Sequence, residues 1–124
     1  MDRYDPNQPP DPSDWLETDE VTRVTLVTEH HSGAEPALPN ERLHAAMHVV
    51  VENQIALGEK PATETVERLM REGLDRHDAV HAIGAVLAQD IHALLSAGKG
   101  SFDQDRYRRR LDKLTAKKWR KGRL

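Results

Sequence analysis

LDRHDAVHAIGAVLAQDIHALL, residues 74–95, decides how this chain folds. Val80, Ile83, Leu87, Ile91 and Leu94 recur in it at three- and four-residue steps, the period of one helix face. Asp75 stands where an N-cap belongs, so the spacing predicts a helix over 76–97, ended by Gly98-Lys99-Gly100. Working outward gives the same kind of element. Upstream, ERLHAAMHVVVENQIAL predicts a helix over 41–57, with Leu43, Met47, Val50, Gln54 and Ile55 along one side and Asn40 of the loop SGAEPALPN as its cap. Gly58 and Pro61 punctuate, and a shorter helix over 62–72 carries Val66, Leu69 and Met70 to Gly73. Downstream, Ser101 or Asp103 opens a last helix with Tyr107, Leu111 and Leu114 inward, fraying beyond Lys117.

The start of the chain reads differently. MDRYDPNQPPDPSD is rich in Pro, Asp and Asn with little to bury, which predicts a disordered acidic tail over 1–14. Asp14 and Glu17 then have N-cap and N3 spacing, and Leu16, Glu20, Val24, Val27 and His31 share a helical face. VTRVTLVT is rich in β-branched residues that favour strands, but a lone strand would have no partner, so 16–31 is read as helix. Together these segments predict an all-α fold: a small bundle of four to five helices over 15–117, with a basic tail over 118–124.

Composition narrows the function. The 124 residues include no cysteine, which excludes disulfides, thiolate metal sites and thiol catalysis. No stretch reads as long enough for a membrane span, and the acidic start is not a signal peptide, so the expected location is cytoplasmic with no membrane partner. The net charge of −3 hides a polarity: residues 1–35 sum to −7, 36–105 to −5 and 106–124 to +9. A basic end of that kind suits an anionic partner.

Two histidine pairs at i, i+4 spacing carry the chemistry: His44 with His48, and His77 with His81. Each pair aims two imidazoles the same way, and pairs on neighbouring helices can surround one metal ion. Glu52 continues the line of the first pair as a further ligand or a base, while Gly84, Ala85 and Ala88 beside the second admit a close helix. Without cysteine, nitrogen and oxygen ligands point to zinc or iron. His31 with Glu20, then His30 and His92, are weaker candidates. The same pairs also suit half-buried histidines that only hydrogen-bond to their neighbours.

Three other signals compete. His77-Asp78 has the form of a metal-dependent phosphohydrolase dyad, although Asp78 equally fits the N3 position of a cap. TVERLMREGLDRHDAVHAIG has helix-turn-helix spacing around Gly73, but its second helix opens with Arg76, His77 and Asp78 and carries no further base. RYRRRLDKLTAKKWRKGRL can bind phosphates, with Trp119 placed to stack on a base.

LHAAMHVVVENQIALGE followed by ERLMREGLDRHDAVHAIGAVLA closely resembles a family of small bacterial proteins classed as a domain of unknown function. The resemblance covers 43–95, extends back over WLETDEVTRVTLVTEHH, and is carried by LH-x-x-x-H-x-x-VENQ and GLDRH-x-A-x-HAIG. These place His44, His48, Glu52, Asn53, Gln54, His77, His81 and Gly84 in the family's pattern. The resemblance implies a helix over 16–31 and a common purpose for the four histidines, and brings no activity with it. The sequence therefore leads to a divalent metal, zinc or iron, held by His44, His48, His77 and His81, with Glu52 as candidate base if the metal activates water. The alternative is a non-enzymatic module that contacts protein, nucleic acid or a ribosomal surface through 106–124. A homodimer contributing one histidine pair from each copy is a further arrangement.

Overall fold

A computed structural model describes residues 1, 3–32 and 41–122, and every regular element among them is helical. In chain order these are α1 (Pro12–Glu17), α2 (Glu20–Ser32), α3 (Glu41–Ala56), α4 (Lys60–Arg71), α5 (Arg76–Ala97), α6 (Gln104–Lys113) and α7 (Ala116–Arg120). The all-α expectation holds, with seven helices among the described residues in place of four or five. The loop after α2, with its Asn40 cap, lies outside the described residues.

The extra helices come from local capping. Asp11 rather than Asp14 caps α1, accepting the Asp14 N–H at 3.0 Å with Pro12 at the first helical position. Thr18 is extended, and Asp19 then takes the Thr22 N–H at 2.7 Å, so α2 is a separate helix. The β-branched run lies in α2, where Thr25 and Thr28 donate to the carbonyls of Val21 and Val24. Asp75 and Asp103 cap α5 and α6 as expected. Thr115 caps α7 where fraying was expected, and Trp119 packs half-buried against the core.

α3 lies at the centre and packs on α1, α2, α4 and α5. One apolar cluster joins Val51 to Leu69, Val80, Ile83, Leu87, Tyr107, Leu111 and Ala116. A second joins Ala45 and Val49 to Trp15, Leu26, Val27 and Tyr4. At 100° per residue, the line of His44, His48 and Glu52 falls between those two faces of α3. Gly84 is buried where α3 crosses α5, and a Cβ built there would stand 3.7 Å from the Met47 Cβ and 3.8 Å from Val51 Cγ2.

Two expectations are corrected here. α5, at 22 residues, is long and apolar enough to span a bilayer, but much of it is buried in the bundle core. The acidic start is also more than a tail. Tyr4 and Pro6 are buried: the Tyr4 ring finds apolar cover against Trp15 of α1 and Ala45 and Val49 of α3, and the Tyr4 hydroxyl and Pro6 carbonyl pair with buried Glu52 and Arg76.

Candidate metal centre

α3 and α5 bring the four histidines together. His44, His48 and His81 each offer a ring nitrogen, and these atoms lie within 4.8 Å of one another. The rings of His44 and His81 meet edge-on with centroids 4.3 Å apart and their Nε2 atoms 2.5 Å apart. His48 closes the trio, its centroid 4.6 Å from that of His81 and 5.2 Å from that of His44. Two nitrogens on one tetrahedral zinc stand about 3.3 Å apart, from metal–nitrogen bonds of roughly 2.0–2.1 Å. Two imidazole nitrogens as close as those of His44 and His81 hold either a proton between them or, after opening slightly, a cation. His77 packs edge-on against the trio, 4.4 Å from His81 and 5.4 Å from His48 between centroids. Among the described residues, the group that meets a metal-site distance is the trio without His77. The arrangement is compatible with metal binding.

Glu52, which continues the histidine line on α3, is 2% exposed and points into the core. Arg76 grips it, Nη1 donating to Oε2 at 2.8 Å and Nη2 to Oε1 at 2.7 Å. Tyr4 donates its hydroxyl proton to the same Oε2 at 2.5 Å. Burial opposes the charge on Arg76, but the hydrogen bonds and charge of Glu52 outweigh it and raise the guanidinium above its ordinary value. Burial, reinforced by the adjacent Glu52, pushes the Tyr4 phenol far up, so it stays a donor. Both oxygens of Glu52 are engaged in this way, and it stands outside the trio that meets a metal-site distance.

The hydroxyl of Tyr4 also lies 3.2 Å from Nδ1 of His48. Its one proton goes to Glu52, so it accepts from His48, whose Nδ1 is therefore the protonated nitrogen. In that tautomer the lone pair sits on Nε2, an atom shut off from solvent.

Sequence reasoning found the histidines and missed Tyr4 and Arg76. A lone aromatic in a proline-rich stretch, and an arginine just inside an apolar helix, were the available signals. Asn53 and Gln54 have structural roles: Asn53 Oδ1 accepts from Trp15 Nε1 at 2.8 Å and Arg23 at 3.0 Å, and Gln54 from Tyr107 at 2.9 Å. Asp78 is exposed and its N–H is capped by Asp75, so the His77-Asp78 dyad dissolves into a helix cap. Arg76 is buried and unable to read a DNA groove. His92 and Glu20 are exposed, and the side chains of His30 and His31 lie outside the described residues. On the basic end, Arg110 pairs with Asp90, and Arg108, Arg109, Lys113, Lys117 and Lys121 are exposed. The chain matches no family model, no curated protein and no solved structure.

Proposed function

We propose that this protein binds one divalent transition metal, zinc or iron, through His44, His48 and His81. The observation that carries the reading is the convergence of three ring nitrogens from two helices on one point beside a buried hydrogen-bonded chain. Imidazole suits both metals, and second-sphere hydrogen bonds of this kind hold metal-ligating histidines in place. Three protein ligands leave a fourth position open, as in metal sites that activate water. Hydrolysis is the reaction class that would follow if the metal activated water there, with the His77 ring packed against those of His48 and His81. A cytoplasmic location belongs to the same reading.

Elemental analysis of untagged protein, purified without chelator or added metal, tests it. Near-stoichiometric zinc or iron is the expected result. A metal-free protein whose melting temperature does not move with Zn²⁺ or Fe²⁺ would return the histidines to the core.

The exposed bases on α6 and α7 favour a second role, contact with a polyanion such as RNA. Charge reversal at Arg108, Arg109 and Lys113 would then weaken binding to a mixed-sequence RNA and leave metal content alone.

A further inference from the structure

The segment before α1 is tied to the histidine site at three points, each by a different group. Tyr4 bridges His48 and Glu52 through its hydroxyl. The carbonyl of Pro6 accepts from Arg76 Nη1 at 3.0 Å, so the guanidinium that holds Glu52 also holds the segment. Asn7 Oδ1 accepts the backbone N–H of His77 at 3.0 Å, capping the first turn of α5 at the residue beside the trio. Within the segment, the Asn7 and Gln8 N–H groups return to the side chain and carbonyl of Asp5, which gives it a turn of its own. These bonds reach residues 44 to 70 positions away, and they converge on a single place in the bundle.

The consequence lies in the tautomer of His48. A neutral imidazole alternates between Nδ1–H and Nε2–H, and only the first leaves Nε2 with a lone pair. Tyr4 can accept from Nδ1 because Glu52 takes its own proton, and Glu52 is held in position by Arg76, which the Pro6 carbonyl completes. Undocking the segment would remove the acceptor at Nδ1 and one bond from Arg76 together.

We propose that residues 4–7 are a functional part of the metal centre: Tyr4, seated on Glu52, sets His48 in its ligating tautomer, so that metal binding and docking of the segment are coupled. This rests on the metal reading above. Tyr4 is a positioning residue, acting on the metal through His48. Coupling is reciprocal, so whatever affinity the docked segment lends the metal, the metal returns as stability of the docked segment.

The test uses the full chain with Zn²⁺ alone as the probe, comparing wild type with Tyr4→Phe, which keeps the ring and removes the hydroxyl. The expected result is a zinc Kd raised about 10- to 100-fold, the range for losing a hydrogen bond to a ligating histidine. The ¹⁵N imidazole spectrum of the metal-free variant should show His48 no longer fixed as Nδ1–H, a signature that a purely packing role for Tyr4 would not move. In the wild type, zinc should slow hydrogen exchange at the Asn7 and Gln8 amides, a readout that does not depend on the variant folding. Unchanged Kd and an unchanged His48 tautomer in Tyr4→Phe, or zinc binding without slower exchange at Asn7 and Gln8, would overturn the coupling and leave the metal site standing. A wild type that binds no zinc would remove both.

Discussion

Arg76 and Glu52, one from the first turn of α5 and the other from the last half of α3, form a two-bonded ion pair with side chains 4% and 1% exposed. Removing water from two charges is costly, and their attraction offsets that cost only while both are present. The pair thus joins α3 to α5 four residues beyond His48 and five before His81.

Truncating either partner strands the other charge in the core. Glu52→Ala and Arg76→Ala should each destabilise the protein by about 3–5 kcal/mol in urea denaturation. The double variant Glu52→Leu with Arg76→Met should be closer to wild type than either alanine variant. Additive losses in the double variant would show that the two side chains act independently.

The histidine variants separate ligands from neighbours. His48→Ala or His81→Ala should abolish bound metal, whereas His77→Ala should retain it, read by elemental analysis after purification. Zinc at about 100 times its Kd stabilises the protein it binds by about 2.7 kcal/mol, and the melting shift this gives should vanish in the first two variants. Loss of metal in His77→Ala as well would make the site a four-nitrogen centre.

How far the sequence was legible follows from the range of each interaction. The caps at Asp75 and Asp103, and the stripe from Val80 to Leu87, are settled within a few residues and could be read directly. The histidine pairs were legible for the same reason, since i, i+4 spacing fixes a shared direction. The engagement of Glu52 was not legible, because its partners Tyr4 and Arg76 lie 48 and 24 residues away. The tail was misread because composition averages over Tyr4 and Pro6, the residues that anchor it. The split of 16–31 into α1 and α2 turned on Asp11 and Asp19, two caps among several aspartates of similar promise.

Gly84 offers a prediction of opposite sign to its apparent role as an indispensable small residue. A Cβ there would make ordinary contacts with Met47 and Val51, and alanine is favoured over glycine inside a helix by about 1 kcal/mol. Gly84→Ala should therefore be neutral or stabilising by up to about 1 kcal/mol. Gly84→Leu has no such room; it should force α3 from α5 and lower both stability and metal content. A marked loss in the alanine variant would mean that the helices pack more closely than these distances show.

Two groups remote from the histidines contribute to the pH dependence of stability, one in acid and one in alkali. Glu72 accepts the Ala116 N–H at 2.9 Å, tying α4 to the start of α7, and also pairs with Arg68. The backbone bond from Ala116, then Arg68, hold its carboxyl below the ordinary range. A lowered folded-state value means stability that is complete above about pH 4.3, the unfolded value, and is lost as pH falls through the folded one. On the alkaline side, burial first, then the charges of Glu59 and Asp90, push the Tyr107 phenol up. Its contribution is complete below about pH 10 and declines as pH rises beyond that. Glu72→Gln should thus cost less than about 1 kcal/mol at pH 7, since the carboxylate is partly exposed, and the gap to wild type should close in acid. Tyr107→Phe should lose about 1 kcal/mol near neutrality with its bond to Gln54, and should show a shallower decline than wild type above pH 10. Urea midpoints measured from pH 3 to pH 11 would check both. A Glu72→Gln deficit that persisted undiminished at pH 3 would assign its effect to shape rather than charge.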